Sequence, residues 1–535
     1  MPINAPRRLL GRKQVAWFGI APPADGRKAF EDRGFLVTTC SDTDLRNSAY
    51  LSGLSAVVFS QSTEKPLQVA QHLQNHAQRL LNYDCLVILR PGSKELSDDP
   101  SIITNGIVAL RLWAAGLPPK EAAKLKWQDP MDPIPALPHA AFFGYAIPWL
   151  NIANTVADNP SGAAPNLALK PTVDDVVKKL DPDAELLIQR AFWDCAEVHL
   201  VAMAEGHSGV RVYRAYAELA EGFHGRWPQP YFVKIGDRAK IFSEYTTYED
   251  RVDPYIPFHL GPHLIRERCC LGASVGVIVG DYVEESESLR DCASQGRAAT
   301  AIACLFDRTL LGWYRSAHKV DTSLAAGLVN SFPRQHKISS DRFARARALG
   351  ATLNLNDLRS LFERCNLGPV LVGPIHRDLH AANVRVRATD AIVIDFYAHR
   401  DFPLVYDAAC LEASLLVEGF ADDKRDLEEW LLSLSSLYDN PLLDGTLPHP
   451  NPKDRSCWFH TCARQIRRYA QQWQCCDHQY AAALAVALLT KAVKDKDAPE
   501  PEASRRAAAY VLAERVLQSA FGEHATATPN AVKAS

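Results

Sequence analysis

Along the first 125 residues, short apolar runs alternate with amphipathic stretches. Residues 14–20 (QVAWFGI), 35–39 (FLVTT), 55–60 (SAVVFS) and 85–90 (CLVILR) read as strands, and 66–81 (PLQVAQHLQNHAQRLL) carries apolar residues at helical spacing. This order predicts a small parallel α/β sheet, because parallel neighbours need a crossover connection. Residues 151–170 (NIANTVADNPSGAAPNLALK) are rich in Asn, Pro, Gly and Ala and read as a linker. A helical segment, 174–192, then leads into a strand-rich stretch from about 196 to 285. Beyond 290 the pattern is helical apart from a short strand pair around 383–395, and it ends in helices at 481–493 and 504–521. The tail from 522 is polar and small and is expected to fray.

At 535 residues the chain exceeds one ordinary core, so two or three domains are expected. A hydrophobic share of 47% against 23% charged residues is that of a globular protein. The net charge of −3 gives no global basic field, so nucleic acid is not an expected partner. The first 20 residues lack a long apolar core, and no apolar run approaches the roughly 20 residues that cross a bilayer. A cytoplasmic chain without a membrane partner is therefore expected, with its 13 cysteines mostly reduced. Cys457, His460, Cys462, Cys475, Cys476 and His478 cluster in sequence, but helical spacing and the lack of a repeated C-x-x-C pair favour packed cysteines over metal ligands.

The sharpest chemical signal is His376-Arg377-Asp378-Leu379-His380-Ala381-Ala382-Asn383, followed by the apolar run AIVI and Asp395-Phe396. Phosphoryl transfer asks the protein for in-line positioning, charge neutralisation and a carboxylate near the incoming hydroxyl. Asp378 can orient that hydroxyl and take its proton. Asn383, five residues on, and Asp395, at the end of a buried strand, offer hard oxygen ligands to Mg²⁺. Upstream, Gly206, Ser208 and Gly209 lie in a turn between two strand-like runs, and small residues there let backbone N–H groups approach phosphate. Lys234 sits alone among apolar neighbours in YFVKI. Glu244 and Glu249 both follow it in a helical segment, and either could pair with it. The run 275–285 (VGVIVGDYVEE) ends in Tyr282 and Val283.

Together these residues resemble the protein-kinase-like superfamily, whose catalytic loop reads H-R-D-x-x-x-x-N and is followed by D-F. Tyr397 replaces the glycine of D-F-G, no A-P-E-like motif follows, and a short path leads to Tyr406-Asp407-Ala408-Ala409. Those features look like the aminoglycoside phosphotransferase and choline kinase branch, and the domain is also similar to the bacterial ternary-complex-associated kinase-like family. The resemblance covers about 196–520. It implies a bilobal α+β kinase-like fold with an N-lobe over 173–285 and a mostly helical C-lobe over 286–521, after an α/β domain over 1–125 and a linker over 126–172.

The resemblance also implies ATP and Mg²⁺ as cofactors. Asp378, Lys234 and Glu244 would be catalytic; Gly206, Ser208, Gly209, Lys234, Tyr282 and Val283 would meet the nucleotide; Asn383 and Asp395 would hold the metal, and Asp407 would brace the loop. The acceptor, a small molecule or a protein, is left open. Tyr397 and Ala398 stand where antibiotic kinases commonly carry a second acid, so the motifs do not point to an antibiotic. The helical stretch from about 305 to 350 is a candidate wall of the acceptor site.

The first domain resembles a response-regulator receiver or a related flavodoxin-like domain. Its strand ends read Ala21-Pro22-Pro23 and Ser60-Gln61, without the acids that accept phosphate, so it is expected to dock a protein partner. The alternative for the whole chain is a nucleotide-binding, pseudokinase-like regulatory module joined to that docking domain.

Overall fold

The computed structural model describes, in the main, residues 14–47, 50–61, 85–91, 140–157, 165–174, 179–203, 210–220, 230–272, 275–364, 367–420, 427–438, 454–494 and 498–521. The chain divides into two compact units, one of residues 1–245 with 263–282, the other of 246–262 with 283–535.

The first unit holds two sheets. In one, β1 (Gln14–Phe18), β2 (Leu36–Cys40), β3 (Leu54–Gln61), β4 (Leu86–Pro91) and β5 (Ala140–Phe142) are all parallel, in the order β2-β1-β3-β4-β5. That 2-1-3-4-5 order is one of the two common orders of wound α/β sheets. Helices α1 (Ala24–Glu31) and α2 (Trp149–Ala157) accompany it. The core joins Val15, Trp17, Val58 and Ile88 of the strands to Phe30 of α1 and to Trp149, Ile152 and Val156 of α2. Trp17 meets Phe30 edge-on at 5.3 Å and Trp149 at 5.5 Å.

The segment expected to be a linker over 126–172 thus contains β5 and α2, and the sheet runs past residue 125. A three-residue strand has no readable period. Trp149, Ile152, Ala153 and Val156 do recur at helical spacing, a signal that the surrounding Asn and Pro residues obscured. Most of the helix expected over 66–81 lies outside the described residues.

The second sheet runs β6 (Thr172–Val173), β7 (Cys195–Ala202), β8 (Arg211–Leu219), β9 (Tyr231–Asp237), β10 (Cys270–Leu271) and β11 (Val275–Asp281), in the order β10-β11-β9-β8-β7-β6. Helix α3 (Pro182–Ala191) covers one face. Asp181 caps it by accepting from the Ala184 N–H, and Pro182 occupies the first turn, where its missing donor costs nothing. Leu187, Ile188, Val233, Ile235, Val277 and Val279 form the core on this side. Arg268, buried at its rim, binds Asp194 through two hydrogen bonds of 2.7 and 2.8 Å.

Period-2 alternation sends Lys234 and Ile278 to the opposite face, where α4 (Arg238–Thr247) lies. Gly276 lets α4 approach: a Cβ there would stand 2.7 Å from an Ile241 methyl.

The second unit is largely helical, with short strands β12 (Glu287–Ser288), β13 (His318–Val320), β14 (Val370–Ile375), β15 (Val384–Arg387), β16 (Asp390–Val393) and β17 (Arg400–Pro403). The expected strand pair is β15–β16, extended by β12. A second small sheet, β13-β14-β17, was not legible from the sequence. Its β13 also breaks the helical stretch expected over 305–350.

Helices α5 (Val405–Glu418), α6 (Leu427–Tyr438), α7 (Cys457–Gln472), α8 (Gln479–Val493) and α9 (Glu502–Phe521) form the body of this unit. The cysteine and histidine cluster lies on and after α7. Cys462 is buried, His460 Nε2 meets the Ser433 carbonyl at 2.9 Å, and among the described residues no three or more His, Cys, Asp or Glu side chains converge as a metal-binding group. No helix among the described residues is long and apolar enough to cross a membrane.

Between α5 and α7 lies a fully buried ion pair. Arg467 donates to both Glu412 oxygens at 3.0 and 2.6 Å and to the Leu437 carbonyl, while the Tyr480 hydroxyl donates to Glu412 at 2.7 Å. Removing one partner strands the other charge in an apolar interior. Arg467→Ala should destabilise the helical unit by about 3–5 kcal/mol, measured by denaturant unfolding. Exchanging the pair together for well-packed apolar residues should cost much less.

Candidate active site

The motif residues of the helical unit form one hydrogen-bonded loop. It follows β14, which delivers His376 to the interior. The buried Asp407, in the first turn of α5, accepts the His376 N–H at Oδ2 and the Arg377 N–H at Oδ1, both at 2.8 Å. Burial pushes the Asp407 carboxyl up to about 6, against the pull of His376 and of these two donors. His376 Nε2 reaches the Ile394 carbonyl at 3.0 Å, and its ring lies 5.4 Å from that of Phe396.

Arg377 takes a left-handed backbone, φ 67°, as the chain turns toward Asp378. Leu379 then plunges into the core, and the Ala381 N–H donates to Ser414 Oγ on α5 at 3.0 Å.

Two of the three predicted phosphoryl-transfer residues of this unit are hydrogen-bonded directly, and the third follows a residue bonded to them. Asn383 Nδ2 donates to the Asp378 carbonyl at 3.1 Å. The Asn383 carbonyl accepts the Ile394 N–H at 2.9 Å, on the residue just before Asp395. Asp395 ends the β15–β16 hairpin in a left-handed conformation, φ 66° and ψ 72°, unusual for a residue with a side chain and characteristic of strained functional turns. Asp378 is half-exposed, with His380 Nε2 4.0 Å from Oδ2 and Lys494 Nζ 3.8 Å from Oδ1.

The chemistry of the donor set suits a hard divalent cation. With Nδ2 spent on Asp378, the Asn383 amide keeps its oxygen for a cation, and Asp395 adds a carboxylate. Mg²⁺ typically takes one or two such protein ligands alongside nucleotide phosphates.

The other predicted group lies in the sheet unit. Lys234, on β9, donates to Glu244 on α4 at 2.8 Å, and both side chains are buried, at 8% and 12% exposure. The choice left open between Glu244 and Glu249 thus falls to Glu244. Ile241 and Tyr245 turn the same side of α4 to the sheet, whereas Glu249 lies in a π-turn, Tyr248–Val252, beyond the helix.

Gly206, Ser208 and Gly209 lie outside the described residues. The Tyr282 N–H donates to the Pro230 carbonyl at 3.3 Å, and its ring carries the Arg214 guanidinium at 4.8 Å. The Val283 carbonyl accepts Ser286 Oγ at 2.6 Å.

Sequence reasoning missed Ser414, Lys491 and Lys494. They meet the loop only through tertiary contact, 33 residues or more along the chain. It also missed His399, which lies against the Trp313 ring at 4.6 Å.

No protein-family model matches the chain. No curated protein matches it. Among solved structures it is similar to amicoumacin kinase in complex with AMP-PNP, Ca²⁺ and Ami, at 13% identity over 60% of this chain and 87% of that one, with a TM-score of 0.34. It is similar to a glucosamine kinase in complex with glucosamine, ADP and inorganic phosphate, at 12% identity over 62% and 85%, TM-score 0.34. It is also similar to aminoglycoside phosphotransferase APH(3'')-Id from Streptomyces rimosus, at 17% identity over 54% and 100%, TM-score 0.29.

Burial, aided by the nearby Arg251, lowers the His399 pKa from 6.5 to about 4. The folded unit therefore refuses a proton that the unfolded chain accepts. The stability this contributes is complete above pH 6.5 and is lost as pH falls from 6.5 towards 4. His399→Phe, which keeps a ring against Trp313, should flatten the fall in thermal midpoint across that window.

Proposed function

We propose that the chain is an ATP- and Mg²⁺-dependent phosphotransferase of the aminoglycoside phosphotransferase-like type, acting on a hydroxyl. The observation that carries this reading is the stitching of Asp378, Asn383 and the residue before Asp395 by hydrogen bonds within one unit. A surface turn has no need of such an arrangement, and phosphoryl transfer requires one.

Bound Mg²⁺, held by Asn383 Oδ1 and the Asp395 carboxylate, would neutralise charge on the nucleotide phosphates. Asp378 accepts a hydrogen bond from the acceptor hydroxyl and orients its oxygen. As that oxygen bonds to the γ-phosphorus, the bond from phosphorus to the β,γ-bridging oxygen breaks. ADP leaves, and the hydroxyl proton passes to Asp378 and then to solvent. Lys234 is assigned the α- and β-phosphate oxygens. Its buried pairing with Glu244 supports that role, because the pair holds the ammonium in one direction. Gly206, Ser208, Gly209, Tyr282 and Val283 are proposed to meet the rest of the nucleotide.

For the first domain we propose a receiver-like docking module for a protein partner. The 2-1-3-4-5 sheet order supports this, with Ser60 and Gln61 where β3 ends.

The test is ATP turnover by the full chain with Mg²⁺ and a panel of hydroxyl acceptors. Asp378→Asn should lower kcat by about 10²–10⁴-fold, the worth of a positioned base, while nucleotide binding and thermal midpoint persist. Lys234→Ala should weaken nucleotide binding as well as turnover. ATP binding in which neither Lys234→Ala nor Asp395→Ala changes affinity, with no turnover of any acceptor, would exclude the reading.

A further inference from the structure

Resting on that reading, we infer that the acceptor is an anion and that Lys494 is the residue that selects it. Lys494 follows the last residue of α8 and brings Nζ to 3.8 Å from Asp378 Oδ1, with both side chains 48% exposed. An acceptor hydroxyl bound to Asp378 therefore arrives beside an ammonium group that solvent and ligand can reach.

The backbone that carries Lys494 is held in place. The buried Arg342 donates to the Ala492 carbonyl at 2.9 Å and to the Lys494 carbonyl at 3.4 Å, and the buried Arg506 donates to the Lys491 carbonyl at 2.7 Å. Two arginines thus satisfy carbonyls at the end of α8 that no longer have helical partners, and they also suit its negative pole. The backbone position from which Lys494 extends is consequently set by the core and not by its pairing with Asp378.

Neighbouring charges are already committed or add to the positive side. Lys491, one turn earlier, is bound to Glu418, which also accepts Ser414 Oγ at 2.8 Å. Glu418 is thereby unavailable to neutralise Lys494. Arg377 and Arg400 make no ion pair among the described residues. Arg400 stands opposite Ile375 in the β14–β17 pairing, and the Arg377 guanidinium lies over the Phe402 ring at 5.4 Å. Asp401 has Arg251 at 3.9 Å.

An amine-bearing acceptor would have to displace Lys494 or sit against it. A carboxylate or phosphate on the acceptor would instead take Lys494 from Asp378, leaving the aspartate to its hydroxyl. Lys494 is in this sense a specificity-determining residue.

The experiment compares kcat/KM for a hexose series that differs in charge: glucose, glucuronate, glucose 6-phosphate and glucosamine. The wild-type chain should prefer the two anions over glucose and accept glucosamine least. Lys494→Gln should lower the anion-to-glucose ratio by about tenfold, the scale of one charge-assisted hydrogen bond, through KM more than kcat. Lys494→Arg should keep the ratio, and Lys494→Glu should turn it toward glucosamine. A ratio that stays constant across these variants would overturn the inference. So would a uniform loss with all four sugars, as a group acting on the transferred phosphoryl would give, or a wild-type preference for glucosamine. Failure of the phosphotransferase reading itself would look different: no turnover that depends on Asp378 with any member of the series, which removes both.

Discussion

The buried carboxylate of Asp407 is the constraint on which the candidate site depends. It has no exposure to solvent, and it accepts two consecutive backbone N–H groups where the chain leaves β14. Those donors could not be satisfied by a strand or helix, because the chain turns there through a left-handed residue. One side chain thus provides what regular structure cannot, and the conformation of the 376–383 loop follows from it. Burial raises the carboxyl toward its neutral form while the two N–H groups favour the anion. Loss of the loop geometry would leave that anion unpaired in the interior, so the conformation of the loop and the state of Asp407 are linked.

Acids of one chemical type therefore do different work according to burial. Glu412 is fully buried and accepts three hydrogen bonds from Arg467 and Tyr480, which suits it to holding helices together. Asp407 is equally buried but bonded to backbone, so it shapes a turn. Asp378 is half-exposed, with only Lys494 and His380 nearby at about 4 Å. It alone of the three retains free access for a proton or a hydroxyl.

What could be read from the sequence follows from the range of the interactions. The run from His376 to Asn383, the strand pair after it and Asp395 are contiguous, and their spacing alone encoded the hydrogen-bonded loop. Lys234 was legible because a single charge in an apolar strand violates the period-2 pattern. For its partner the resemblance favoured Glu244 over Glu249, and the residue pattern alone did not separate them; the packing of Ile241 and Tyr245 against the sheet, with Ile241 close to Gly276, sets the rotation of α4 that brings Glu244 to the lysine. Strand β14 was hidden by Gly373 and Pro374, which break any strand signal. Gly373 is needed there because a Cβ would stand 2.8 Å from that of Ala317. Ser414 and Lys494 have no local signature, for their contacts exist only once α5 and α8 have packed.

The parallel-sheet domain follows the same logic of long-range satisfaction. Arg90, near the end of β4, is buried, and its guanidinium lies 3.8 Å from the centre of the Trp149 ring and donates to the Tyr145 and Ile147 carbonyls at 2.8 and 3.0 Å. The arginine joins the strand ends to the turn preceding α2, and burial lowers its pKa. It is therefore engaged in holding β4 to the segment around α2, a segment whose composition suggested only a tether. Strand ends in such sheets are where ligands usually bind. Here a cation held against a tryptophan and bonded to two carbonyls occupies one of them, so that end of the sheet is closed by the protein's own side chain.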